Sequence, residues 1–178
     1  MKLWVKHVII LENFPMKKKN GIGCYKWSEY NLYEGEIKNN CFDGYGIYLY
    51  EDGRKYSGQW CKNNINGFGE MTWVEGNKYC GFYKNGKKNG FGIYYSPKGK
   101  LYIGFWKNGK QDGYGKYISK SKIKYGIFNN GNLEKKYENE NIFYKDLLDI
   151  NMNKNIIKTN WIFKWDINKI KNFLEIEN

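Results

Sequence analysis

The stretch GFWKNGKQ, Gly104 to Gln111, has the residue types of a phosphate-binding loop and nearly its spacing. Such a loop reads Gly, four residues, Gly-Lys, then Ser or Thr. Its backbone N–H groups and lysine hold phosphates, and its hydroxyl binds Mg²⁺. Gln111 stands where the hydroxyl is required, and in a second copy, GFYKNGKK from Gly81 to Lys88, Lys88 stands there. A working loop also leads into a helix, whereas this one runs into GYGKY, an extended pattern. The nucleotide reading fails, and two copies of one figure point to a repeat instead.

Other chemistry is equally thin. No carboxylate pair, Ser/His/Asp set or Cys/His set stands at a recognisable spacing, so no catalytic residue is assigned and no enzyme is expected. His7 is the single histidine and falls in an apolar N-terminal segment, which suits a structural or surface residue better than a general base. Cys24, Cys41, Cys61 and Cys80 form no CxxC pair and no ligand set with His7. Free thiols in a reducing compartment are therefore expected, with no metal and no cofactor. In the opening MKLWVKHVIILENFP only Val8–Leu11 is an uninterrupted apolar run, too short for a secretory leader. No window reaches transmembrane length and Lys2 excludes N-myristoylation, so a cytoplasmic location is expected.

The formal net charge is +12, and with Arg54 as the only arginine it is carried by lysine. Lysine is a hydrated point charge, whereas base reading and bidentate phosphate recognition recruit arginine. Loose attraction of acidic partners follows, and nucleic acid is the least supported partner.

The elements that carry these residues are set by a period of 23. Tyr33, Tyr56, Tyr79 and Tyr102 keep that interval, each followed two residues later by Gly35, Gly58, Gly81 or Gly104. The pairs Gly44/Gly46, Gly67/Gly69, Gly90/Gly92 and Gly113/Gly115 keep it too, and Gly21/Gly23 marks a half-unit before them. Beyond Gly104 the matching glycine is Gly126, one residue early, so Tyr125 falls out of register. The third unit, YCGFYKNGKKNGFGIYYSPKGKL, reads as two strands and two turns. Tyr79, Gly81 and Tyr83 alternate on one face. Asn85-Gly86 is able to take the positive φ of a tight hairpin, and SPKG makes the second turn. A glycine recurring inside a strand marks a backbone that needs space. We infer that positions like Gly46 let an aromatic ring from the neighbouring strand lie flat on the backbone.

YSGQW (Tyr56–Trp60) and YIGFW (Tyr102–Trp106), with the Asn-Gly turn and the Gly-x-Gly pair that follow, resemble the MORN (membrane occupation and recognition nexus) repeat. YEGEI and YCGFY replace the Trp; the half first unit, the short fourth unit and YGIFNNGNLEKKY depart further. The resemblance covers about Lys17 to Tyr137. It implies a mainly β fold: an elongated, single-layer antiparallel sheet of stacked 23-residue hairpins. Roughly ten strands at ~4.8 Å spacing would span on the order of 50 Å. Residues 1–14 are expected to form a capping strand, 15–137 the repeat sheet and 138–178 a capping or interaction extension.

In that extension a short helix is expected around Phe143–Ile150 and a strand at Trp161–Trp165. An amphipathic helix, capped by Asp166 and carrying Ile167, Ile170, Phe173 and Leu174, is expected to follow. It caps the sheet, or serves a partner or a membrane.

The expected function is a non-enzymatic scaffold that grips a protein partner, a helix or extended peptide, along an aromatic-lined surface. Its candidate residues are Tyr33, Tyr56, Tyr79 and Tyr102, Trp60, Tyr83 and Trp106, and a second same-face row holding Met71 with Tyr48, Tyr94 and Tyr117. These rings are expected to stay partly exposed, because a single layer cannot bury both faces. The resemblance suggests a role in cytoskeletal or membrane-skeleton assembly. The alternative is peripheral binding of acidic phospholipid through Lys84, Lys87, Lys88, Lys107 and Lys110, which recur at neighbouring turns. An end-to-end homodimer through open sheet edges is a further expectation.

Overall fold

The computed structural model describes residues 18–151 of the chain, apart from Ser121. They form eleven strands and one helix: β1 Gly21–Ser28, β2 Asn31–Lys38, β3 Cys41–Leu49, β4 Lys55–Cys61, β5 Asn64–Thr72, β6 Lys78–Lys84, β7 Lys87–Ser96, β8 Lys100–Lys107, β9 Lys110–Ser119, β10 Lys122–Asn129, β11 Asn132–Tyr137 and α1 Glu140–Asn151. Every strand pairs antiparallel with its sequence neighbour, giving one sheet in the order β1 to β11. The expected strand in residues 1–14, with His7, lies outside the described residues, as do the strand and helix expected in 161–176.

One set of turns is built on two residues with positive φ. Asn85-Gly86 (50° and 73°) joins β6 to β7, and Asn108-Gly109 (51° and 85°) joins β8 to β9. This hand matches the strand twist, which is why Asn-Gly recurs there. The apparent phosphate loop is therefore a hairpin turn. The Gly109 N–H already donates to the Lys88 carbonyl of the preceding hairpin at 2.9 Å. Gly86 N–H likewise reaches the Ile65 carbonyl at 2.8 Å and Gly131 N–H the Gln111 carbonyl at 2.8 Å. The turns on this edge are thus stitched to one another.

The two glycines of each Gly-x-Gly pair do different jobs. The first sits at positive φ, 112° at Gly44 and 98° at Gly67, beside a slip in the ladder between Gly35 and Ile37 or between Gly58 and Trp60. The second has ordinary φ but lies under a ring. A Cβ at Gly46 would stand 2.5 to 2.6 Å from Tyr33, and at Gly92 2.3 to 2.7 Å from Tyr79. That is the flat ring-on-backbone packing anticipated from the sequence. Where the ladder slips, the freed carbonyl accepts the tyrosine hydroxyl: Tyr33 to Glu36 at 2.7 Å, Tyr56 to Gln59 at 3.0 Å, Tyr79 to Phe82 at 3.0 Å and Tyr102 to Phe105 at 3.1 Å. Each tyrosine closes its own bulge.

The short fourth unit has a definite consequence. Gly126 still pairs with Gly115, but Lys124 now opposes Tyr117, and Tyr125 turns to the other face. A one-residue slip moves a side chain across the sheet. There Tyr125 meets Phe143 of α1 at 5.2 Å between ring centroids. Helix α1 is preceded by Asn139, whose side chain accepts from Ile142 N–H at 3.0 Å, the bond expected of an N-cap. It docks through fully buried Phe143 onto Tyr114, Tyr125 and Tyr137, covering the end of one face. The Tyr137 hydroxyl and Lys135 both bond the Asp146 carboxylate, which fixes the helix to β11.

Candidate partner-binding surface

One face of the sheet is aromatic along its length. The ladder pairs Tyr33 with Tyr48, Tyr48 with Tyr56, Tyr56 with Met71, Met71 with Tyr79, Tyr79 with Tyr94, Tyr94 with Tyr102 and Tyr102 with Tyr117. All the partner-binding candidates therefore share this face, as their spacing implied. Their exposure does not match the expectation. Tyr33, Tyr56 and Tyr79 are 0% exposed and Tyr102 is 1%, while Trp60, Tyr83 and Trp106 are also buried. The physical reason is the second glycine of each pair: with no Cβ beneath it, the tyrosine ring folds down onto its own sheet. Loss of water raises the hydroxyl pKa of all four of these tyrosines.

These rings form a continuous spine. Tyr33 meets Trp60 edge-to-face at 5.6 Å, Trp60 meets Tyr56 at 5.3 Å and Tyr56 meets Tyr83 at 5.6 Å. Tyr83 then meets Tyr79 at 5.1 Å, Tyr79 meets Trp106 at 5.3 Å, Trp106 meets Tyr102 at 5.2 Å and Tyr102 meets Phe128 at 5.1 Å. Interplanar angles between 81° and 90° put edge to face throughout, an arrangement worth about 0.5–1.5 kcal/mol per pair beyond burial. Every hairpin of this run is locked to the next. Trp60 and Trp106 also donate through Nε1 to the Gly46 and Gly92 carbonyls, each at 3.2 Å. Tyr83 stands at the same repeat position, and its buried hydroxyl has no hydrogen-bond partner.

What remains accessible lies beside the spine. Tyr48, Tyr94 and Tyr117 are half-buried, and so are Tyr50 and Trp73, while Trp27 is 52% exposed. Trp27 stacks on Tyr48 at 5.7 Å, and Tyr48 lies 4.5 Å from Tyr50. Trp27, Tyr50 and Trp73 were not singled out from the sequence, although they are themselves 23 residues apart. The signal was the same period, read one strand-end further along.

The five lysines divide. Lys84 pairs with Lys87 and Lys107 with Lys110 across stacked turns, and all four are exposed on one edge. Lys88 does not join them. It is the first residue past the turn on the inner face, opposite Tyr83, at the position held by Phe42, Ile65 and Gln111 in the other units. Phe42 lies flat on Tyr33 at 3.6 Å; in the same niche, Lys88 Nζ stands 4.8 Å from the Tyr79 centroid, 4.6 Å from Tyr94 and Trp106, and 5.0 Å from Trp73. The expectation that Lys88 belongs to a basic edge is corrected: alternation turns it inward.

On the opposite face exposed Tyr45 and Phe68 line an open depression together with Ser57, Glu70 and Cys80, and exposed Phe82 meets Phe68 edge-to-face at 5.5 Å. Further along, the same face is buried at Ile93, Leu101 and Ile103. Cys24, Cys41, Cys61 and Cys80 are free thiols, and burial pushes Cys80 up to about 12. Among the described residues, no group of His, Cys, Asp and Glu is placed to hold a metal ion, and no helix is long and apolar enough to cross a membrane.

A family model described as the MORN repeat matches residues 16–31, 33–53, 56–78, 79–100 and 102–122. The last four of these segments correspond in turn to the hairpins β2–β3, β4–β5, β6–β7 and β8–β9. No curated protein sequence matches the chain.

Proposed function

The chain belongs to the MORN repeat family, and on that premise we propose that it is a scaffold that binds a protein partner and catalyses nothing. The observation that carries this reading is the row of half-exposed rings, Trp27, Tyr48, Tyr50, Trp73, Tyr94 and Tyr117, laid along a rigid buried spine. Pre-ordered aromatic rings lose little conformational freedom on binding and are frequent anchors of protein interfaces. A partner helix or extended peptide running along several hairpins would meet a ring in each. Repeats of this family are common in scaffold and membrane-associated proteins, which supports a place in cytoskeletal or membrane-skeleton assembly. The earlier candidates Tyr33, Tyr56, Trp60, Tyr79, Tyr83, Tyr102 and Trp106 hold the platform in shape, and Tyr48, Tyr94 and Tyr117 touch the partner.

The test compares affinity capture by the wild-type chain with capture by a Trp27→Ser, Tyr50→Ser, Trp73→Ser triple variant. The variant should keep its β-sheet circular dichroism and lose the captured protein. Capture that survives in the folded variant would overturn the reading.

A second reading, peripheral binding of acidic phospholipid, is favoured by the exposed edge formed by Lys84, Lys87, Lys107 and Lys110. Each such lysine near an anionic surface contributes about 1 kcal/mol. Sedimentation with anionic vesicles should then weaken steeply with salt; binding that ignores salt counts against it.

A further inference from the structure

The face opposite the aromatic row is covered unevenly. Tyr45, Phe68 and Phe91 stand on it at one repeat position, 23 residues apart, each between the two glycines of its pair. Tyr45 is 54% exposed and Phe68 44%, but Phe91 only 8%. Neighbouring rows change in the same direction. Glu34 is exposed and Ser57 half-buried where Cys80 and Ile103 are buried, and Lys55 is exposed where Leu101 is buried. The hairpins repeat one backbone in one layer, so the sheet itself does not produce this gradient. Larger neighbours add some burial, yet Ile103 reaches 0% exposure and Leu101 1%, and branched aliphatic chains do not lie flat over a glycine as the tyrosines do. Helix α1 packs on β10 and β11 and meets Tyr114 of β9 through Phe143. Phe91, Ile93, Leu101 and Ile103 lie further in, on β7 and β8.

We propose that the chain's own C-terminal segment, residues 152–178, is the ligand of this apolar face and lies over Phe91, Ile93, Leu101 and Ile103. The segment lies outside the described residues, but its starting point is fixed. Helix α1 sits on this face and ends at Asn151, so the chain is handed on beside the buried region. The segment holds apolar side chains to bury there, among them Trp161, Phe163, Trp165, Ile170 and Phe173. The amphipathic helix expected over 167–176 would be about 15 Å long, enough to cross the roughly 10 Å from β7 to β9. Residues 1–17 enter at β1 instead, and on the way to β8 they would have to pass over Ile22, Tyr45 and Phe68, all of which are exposed. A second copy of the chain has no tether, whereas a short linker holds a segment at an effective concentration on the order of millimolar. The second face is thus closed at the end near α1 and open around Tyr45 and Phe68. The inference stands independently of what the aromatic row binds.

The experiment places the photo-crosslinking residue p-benzoylphenylalanine at Phe105 of the full chain, beside Phe91, and in a separate chain at Tyr45. After irradiation of the dilute protein, peptide mass spectrometry locates the new bond. From Phe105 it should run within the chain to residues 152–178, and from Tyr45 its yield to that segment should be lower by about ten-fold. A bond from Phe105 to residues 1–17, to α1 or to a second copy, no bond at all, or equal yields from both positions would overturn the proposal. A second measurement leaves the aromatic residues of the face intact. Ile103→Cys should resist alkylation in the full chain, and Ile170→Asp with Phe173→Asp should speed its reaction about ten-fold while Cys24, on the same face at β1, keeps its rate. An unchanged rate at position 103, or an equal acceleration at Cys24, which reports general unfolding rather than a lifted cover, counts against it.

Discussion

Gly92→Ala isolates the ring-on-backbone packing that organises this sheet. Gly92 has no positive φ, so alanine meets no backbone strain there. Its Cβ would stand 2.3 Å from the Tyr79 hydroxyl oxygen, 2.5 Å from Cζ and 2.7 Å from Cε2. The ring, 0% exposed and wedged between Tyr83 and Trp106, has no free space on its far side. Overpacking of this kind costs about 1–3 kcal/mol. Tilting the ring also strains the 3.0 Å bond from its hydroxyl to the Phe82 carbonyl, about 1 kcal/mol more. We expect about 3 kcal/mol of destabilisation in urea unfolding followed by tryptophan fluorescence. Gly86→Ala is the contrast: a Cβ there meets nothing within 4 Å, and only its φ of 73° opposes alanine, at about 1–2 kcal/mol. In a Tyr79→Ala background, Gly92→Ala should become nearly neutral. If Gly92→Ala is no worse than Gly86→Ala, or if the Tyr79→Ala background leaves its effect unchanged, the packing argument is wrong.

Tyr83→Trp should stabilise the chain by about 1 kcal/mol, because the indole N–H would reach the Gly69 carbonyl as Trp60 reaches Gly46 and Trp106 reaches Gly92; an unchanged or lower melting temperature counts against it. Lys88 has a folded-state pKa of about 8 against an ordinary 10.5, so the unfolded chain holds more protons between those values. Relative to Lys88→Met in parallel urea titrations, the wild-type chain should therefore gain stability from pH 8 to 10, by at most about 1.4 kcal/mol per pH unit, while the buried tyrosines, whose raised pKa values make both chains lose stability toward pH 10, cancel in the difference. Phe143→Ala should cost about 3 kcal/mol at the α1 contact and speed amide exchange in α1 while leaving β4–β7 protected; uniform loss of protection would show that α1 is not a local attachment.

The period of 23 made the hairpins, their turns and the shared face of Tyr33 through Tyr117 legible, because spacing decides which side chains alternate together. Gly46 and its equivalents were readable as ring clearances for the same reason. Burial was not readable. A pattern of alternating tyrosines looks the same whether the rings stand up into solvent or lie down over glycine, and the outcome here depends on the ladder slip that hands Glu36 or Phe82 carbonyls to the hydroxyls. Lys88 was misplaced because its nearness to the turn grouped it with Lys84 and Lys87, while alternation along β7 decided its face. Tyr125 was seen to be out of step, but that it would seat α1 required knowing where Phe143 arrives.

The interlocked rings also set how the ribbon yields to force. An interior hairpin is clasped by rings on both sides, as the one carrying Tyr79 and Tyr83 is by Tyr56 and Trp106, whereas among the described residues the row of edge-to-face rings reaches its last member at Phe128 of β10. Tension applied along the strands is therefore resisted best in the middle and least at the margins. Such a ribbon gives way by peeling from its ends, hairpin after hairpin, and can close again by the same route.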